Sequence, residues 1–318
     1  MVTPLVQNNS ESSVPAGTPL LRNIDSWQQR RRSPSFVVAV FVRYREDRGR
    51  QYGALLSYYG FISLFPLLLV LVTVLGIVLD DNPTIRDRIL DTVFAKIPVV
   101  GAQLRQSTVS LNSSGLLLLA GLLATLWSGL AVVRVAQDAL NLQWAVPRLR
   151  RPGFVTRQLR AVGALVVVGA GILVSTAATS LAAYLPDLPW GGRVLGAICA
   201  AAVNVVLLTA SFRVLIQAHV GWRALVSGGL VGGVVLWSLQ LVGATYVARV
   251  IMGASDVYGA FATVFGLIVW IALLARAALL ANEINVVKAR QLWPRSLRWT
   301  PETDADRRAV EQIIQRDI

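Results

Sequence analysis

Long uncharged stretches alternate along this chain with short segments rich in arginine. The first stretch, residues 53–79, reads GALLSYYGFISLFPLLLVLVTVLGIVL and carries no formal charge over 27 residues. About 20 apolar residues let a helix cross the hydrocarbon core of a bilayer, so this segment predicts a membrane span. Comparable runs recur, and the pattern places six spanning helices at about 53–79, 115–135, 161–185, 194–216, 224–247 and 257–281. The predicted fold class is therefore all-α, a polytopic membrane protein with six transmembrane helices and short amphipathic interfacial helices. Residues 33–287 form the membrane domain. Residues 1–32, rich in Ser, Asn, Pro and Gln, read as a disordered cytoplasmic leader, and 288–318 as a cytoplasmic tail with a helix signal at Thr300-Pro301-Glu302.

Between the long runs the period changes. After Ser33-Pro34, the residues Phe36, Val37, Val40, Phe41 and Tyr44 recur at helical spacing opposite Arg43, Glu46 and Asp47. This predicts an amphipathic helix, either lying on the inner leaflet or packed under the bundle. Ile85, Ile89, Val93 and Ile97 predict a second interfacial helix within 80–114. Residues 186–192 read as a tight turn. In the fifth span, Gly228, Gly229, Gly232 and Gly233 form two overlapping small-xxx-small pairs, which let neighbouring backbones approach closely.

Composition agrees with the pattern: the 318 residues are 55% hydrophobic, with mean hydropathy +0.59. Cys199 is the single cysteine, so no intrachain disulfide forms. The net charge of +13 points to anionic membrane lipid and away from nucleic acid once the chain is read as membrane-embedded. Of the 30 basic and 17 acidic residues, the three alternate loops 80–114, 186–193 and 249–256 hold only six of each. Positive charge collects on the cytoplasmic side, so both termini are expected to be cytoplasmic, in a bacterial cytoplasmic (inner) membrane.

Three motifs carry a resemblance. Residues 54–76, ALLSYYGFISLFPLLLVLVTVLG, join an Ala/Leu-rich start to a Tyr pair and then Ser-Leu-Phe-Pro. Residues 257–285, VYGAFATVFGLIVWIALLARAALLANEIN, begin with Tyr-Gly, carry a mid-helix Trp and close on Glu-Ile-Asn. Asn141 and Trp144 make an Asn-x-x-aromatic element after the second span. Together these resemble the YihY/BrkB family of bacterial inner-membrane proteins, with Ala281-Asn282 standing where the family has Gly-Ala. The resemblance covers about residues 35–290 and implies six spanning helices and an envelope-related role of poorly defined biochemistry.

Candidate chemistry lies on polar stripes. Tyr52, Tyr59, Ser63, Pro66 and Thr73 fall within roughly 80° of one helix face, at about 100° per residue. Pro66 removes one N–H and releases the Ile62 carbonyl, so this face is expected to meet protein. Polar groups also gather near the expected cytoplasmic helix ends: Tyr58 and Tyr59, Arg134 and Asp138, Arg213 and Gln217, Arg276 and Glu283. One reading has the arginines snorkelling to lipid phosphates, with Arg134 pairing Asp138 and Arg276 pairing Glu283. The other makes Tyr59, Ser63, Pro66, Arg134, Asp138, Arg213, Gln240, Arg276 and Glu283 the lining of a cytoplasm-facing cavity for an anionic head group or small anionic solute. The expected function is then a transporter or lipid-translocating protein; the alternative is a non-transporting envelope-integrity or scaffold protein. His219 is the single histidine, and no phosphate-binding glycine loop followed by lysine occurs. No catalytic, metal or cofactor residue is therefore expected and the chain is not expected to be an enzyme. Assembly as a homo-oligomer stays open.

Overall fold

The computed structural model describes residues 25, 27–78, 115–147, 149, 151, 153–183, 191–218, 220–246, 260–296 and 303–317. The expected interfacial helix in 80–114, His219, Tyr258 and residues 186–190 of the expected 186–192 turn lie outside the described residues, and Gly191 and Gly192 already belong to the next helix. The elements are α1 (Arg32–Glu46), α2 (Gly49–Val78), α3 (Gly115–Gln143), α4 (Phe154–Ala183), α5 (Gly191–Leu215), α6 (Trp222–Tyr246), α7 (Ala260–Arg290) and α8 (Asp304–Asp317). There is no strand among the described residues. Four segments, Leu119–Gln143, Gly196–Leu215, Trp222–Gln240 and Val264–Arg290, are long and apolar enough to cross a membrane, and α2 and α4 are unbroken helices of 30 residues each. The fold is an all-α multi-pass membrane architecture.

Helices α2 to α7 run alternately up and down and pack as a ring: α2 on α3, α3 on α4, α4 on α5, α5 on α6, α6 on α7, and α7 back on α2. One end of the ring, here called proximal, gathers the starts of α2, α4 and α6 and the ends of α3, α5 and α7. Pro66 lies inside α2 without ending it. Along that helix Leu55, Tyr58, Ile62 and Phe65 are exposed at intervals of three and four, whereas Tyr52, Tyr59, Ser63 and Pro66 are half-buried. An apolar exposed stripe is what hydrocarbon solvates; the polar stripe lies on the bundle side, where Ser63 Oγ donates to the Gly60 carbonyl at 2.8 Å.

The wedge of the ring is α6. Gly228 and Gly232 face α7, where a Cβ would run into the Ala281 carbonyl oxygen and the Ala281 side chain respectively. Gly229 and Gly233 face the opposite neighbour, α5; a Cβ on Gly233 would lie 2.5 Å from Val205 Cα, and one on Gly229 would overlap Thr209 Oγ1. The two small-xxx-small pairs therefore serve two different helices, and α6 is thin on both sides at once.

Beyond the proximal end sits a polar cap. Of the two placements expected for α1, packing under the bundle is the one found: it packs on α7 and α2, buries Ser35, Ala39, Val40, Arg43 and Tyr44, and leaves Val37 and Phe41 exposed. The supposed polar face points inward because its charges find partners there. Arg43 Nε meets Asp47 Oδ2 at 2.8 Å, Arg316 of α8 meets Asp47 Oδ1 at 2.8 Å, Arg295 joins Glu46, and Arg295 Nε meets Asp306 at 2.6 Å. Burial nevertheless pushes the Asp47 carboxyl up to about 6, against the pull of Arg43 and Arg316. Asp25 and Gln28, within the stretch expected to be a disordered leader, are instead buried: Gln28 donates to the Arg295 carbonyl at 2.7 Å. Asp25 and Gln28, α1, Arg295 and α8 are thus one capping unit.

The glycine wedge yields a direct test. Gly228→Ala or Gly233→Ala should lower stability by about 1–3 kcal/mol through overpacking, whereas Gly169→Ala, with nothing within 4 Å of its Cβ position, should be neutral or stabilising. Thermal unfolding in detergent reads the difference; equal midpoints for all three would contradict the packing described.

Candidate functional site

The site is built on the last turns of α7. Ala281, Asn282, Glu283, Asn285, Val286 and Val287 are all buried, five of the six with no exposed surface at all. An amide held inside a membrane bundle needs partners on another helix, and each asparagine has them. Asn282 Nδ2 donates to Gln143 Oε1 at 2.6 Å and its Oδ1 accepts from Trp144 Nε1 at 3.2 Å. Gln143 in turn donates to the Leu279 carbonyl at 3.2 Å. The end of α3 is thereby clasped to α7. Asn285 Oδ1 accepts from the Gly228 N–H and from Ser227 Oγ, which ties in α6. This contact is open to Asn285 only because Gly228 has no side chain.

The end of α3 reaches a third neighbour. Asn141 Oδ1 accepts from the Gln217 N–H at 2.9 Å, just past the end of α5, while Asn141 Nδ2 donates to the Gln137 carbonyl at 2.6 Å. On its other side Asp138 pairs with Arg157 Nη2 at 2.8 Å and Arg151 Nη1 at 3.3 Å. Arg134 does not pair with Asp138. It donates to Gln158 Oε1 at 2.9 Å and lies 5.9 Å over the Phe154 ring. An arginine four residues before an aspartate is the weaker order for a helical pair, and α4 offers cross-helix arginines with better approach.

Arg276 does not pair with Glu283 either. Seven residues separate them, about 10 Å along the axis, and Arg276 instead lies exposed against α2, its Cγ 3.0 Å from the Cβ position of Gly53. Glu283 has no exposed surface, and neither of its oxygens has a hydrogen-bond partner. Gln143 lies beside it with one of its two amide hydrogens given to the Leu279 carbonyl and the other on the Glu283 side, and Asp47 and Arg43 of the cap are the charges that act on it most.

The nominated residues therefore occupy several places. Tyr59, Ser63 and Pro66 line the bundle side of α2; Arg134 and Asp138 join α3 to α4; Arg213 is exposed on α5. Gln240, exposed on α6, exchanges hydrogen bonds with Asn204 of α5, Nε2 to Oδ1 at 3.2 Å. Arg134 meets α4 and Arg276 lies against α2, two different neighbours. The residues that bring the helix ends together, Gln143, Asn282 and Asn285, were not nominated, although uncharged amides at the foot of a span were the available signal.

Asn141 and Trp144 of the Asn-x-x-aromatic element and Asn285 of the Glu-Ile-Asn close thus turn out to be hydrogen-bonding residues. A sequence profile described as "Virulence factor BrkB" matches residues 40–304. The chain is similar to a UPF0761 membrane protein of Nitrosospira multiformis, 24% identical over 253 residues, covering 76% of this chain and 58% of that protein. It is also similar to the inner membrane protein YhjD of Escherichia coli, 23% identical over 298 residues, covering 87% and 88%. A UPF0761 membrane protein of Xanthomonas campestris is 26% identical over 285 residues, covering 86% and 65%. No solved structure matches the chain. With the profile spanning most of its length, the chain belongs to the BrkB family of membrane proteins.

Proposed function

We propose that this protein is a bacterial inner-membrane protein with six spans and both termini in the cytoplasm, and that it moves or presents an anionic lipid head group or small anionic solute at its cytoplasmic, proximal end, without enzymatic chemistry. The observation that carries the reading is Glu283: an ionisable side chain fully buried on a candidate span with no ion-pair partner among the described residues. Such a group is expensive to keep in a membrane bundle, and where it occurs it marks ligand or ion pathways. The exposed Arg213 and Arg276 add basic groups for an anion, and the printed name of the Escherichia coli relative supports the inner-membrane location.

A second reading, an envelope scaffold that transports nothing, draws on the cap. Arg316 and Arg295 hold α8 and the preceding segment on α1, and α8 shows Val310 and Ile314 to the outside. That arrangement suits a docking platform.

Topology is tested by labelling. In a Cys199-free background, Ser113→Cys should react with an impermeant thiol reagent added outside and Thr303→Cys only after permeabilisation; the reverse pattern would overturn the orientation. For function, vesicles of phosphatidylethanolamine and a fluorescent phosphatidylglycerol, reconstituted with the chain, should exchange the labelled lipid between leaflets faster than empty vesicles. Glu283→Gln should slow that exchange while leaving the thermal midpoint in place. No acceleration over empty vesicles would remove the translocation reading and leave the scaffold.

A further inference from the structure

At the proximal seam of α2 and α7, positive groups converge where no acid answers them. Arg50, in the first turn of α2, and Arg276 of α7 are both exposed, and neither makes an ion pair among the described residues. The carboxylates close by in sequence are committed elsewhere: Glu46 to Arg295, Asp47 to Arg43 and Arg316. The first turn of α2 carries no acidic residue, so nothing offsets the partial positive charge at the start of this 30-residue helix.

Into the same seam reaches Tyr44. Its side chain is 7% exposed, its ring packs against Gly49, and its hydroxyl is buried without a hydrogen-bond partner. The hydroxyl and Arg276 Nε each lie 3.7 Å from the point where a Cβ on Gly53 would stand. Burial raises the Tyr44 phenol, and the charges of Arg276 and Arg50 both act on it in the opposite sense. The phenol therefore keeps its proton at neutral pH and is a donor with nothing to donate to, which is an unfavourable state for a buried hydroxyl. Glu283 also acts on this phenol, but it forms no ion pair with either arginine.

We propose that the Arg50, Arg276 and Tyr44 side chains, at the start of α2, form a seat for a phosphate group, the shared chemistry of an anionic phospholipid head group and a soluble phosphate ester. Two guanidinium forks meet the phosphate oxygens, and the Tyr44 hydroxyl donates a third hydrogen bond from below. Gly53 places no side chain between Arg276 and the phenol; a Cβ there would press on Arg276 Cγ at 3.0 Å. The seat deepens the anion-handling reading above and rests on it for the side of the membrane from which the ligand arrives.

Native mass spectrometry of the full chain in detergent tests it, with phosphatidylglycerol, phosphatidylcholine and glycerol phosphate as probes. Wild type should retain phosphatidylglycerol in preference to phosphatidylcholine. Arg276→Gln and Arg50→Gln should each weaken that retention about tenfold or more, as for a lost charged hydrogen bond, and Tyr44→Phe about fivefold, as for a neutral one. Arg223→Gln, an exposed arginine at the start of α6, should change nothing. Because the Tyr44 hydroxyl has no partner in the protein, Tyr44→Phe should fold with an unchanged thermal midpoint. Displacement of the lipid by glycerol phosphate would support the seat and assign it a soluble source; no displacement would support it with the lipid as source. Undiminished retention in all three variants, or equal loss in Arg223→Gln, would overturn it. If the seat fails while Glu283-dependent lipid exchange persists, only the seat falls. If the seat binds and no exchange occurs, only the translocation reading falls.

Discussion

Side-chain amides crossing between helices hold the proximal end of this bundle together. Apolar surfaces give helices in a bilayer little reason to prefer one another over lipid, so packing of small residues and hydrogen bonds between helices decide the arrangement. Here both devices meet on α7. Asn282 takes the end of α3 through Gln143 and Trp144, and Asn285 takes α6 through the Gly228 N–H. Asn141 extends the same network to the end of α5. Removing the Gly228 contact would strand Asn285, so the glycine spacing and the amides are one device.

The charge around this network is set by the cap above it. Arg43 and Asp47, both without exposed surface, stand between the tail helix and Glu283. Arg316 reaches the same aspartate from α8. The cap covers the proximal end and at the same time supplies the charges that act most on Glu283. Arg50 and Arg276 lie to one side of this ladder, outside its internal pairing.

How much of this the sequence reveals depends on the range of each interaction. The spans are legible because hydrocarbon permits few alternatives to a long apolar helix, and the Gly228–Gly233 cluster announces close packing by composition alone. The stripe through Tyr59, Ser63 and Pro66 follows from helical period. Long-range pairing is not written in local pattern: Arg316 and Asp47 are 269 residues apart and Arg295 and Glu46 are 249 apart. Without those partners Arg43 and Asp47 look like a solvated face, although both are buried beside Val40 and Tyr44. The same blindness affects Asp138, whose local neighbour Arg134 suggests a pair while the partners come from residues 151 and 157. Glu283 stands out in the sequence as a charge at the foot of a span, but its isolation is visible only in three dimensions.

The central claim is that amide hydrogen bonds, rather than apolar contact alone, join α3 to α7. A double-mutant cycle on unfolding in detergent measures this directly, using Gln143→Ala, Asn282→Ala and the double variant. The Asn282 to Gln143 bond predicts a coupling energy of about 0.5–2 kcal/mol, within the range of interhelical hydrogen bonds in membrane proteins. Strict additivity of the two substitutions would contradict it.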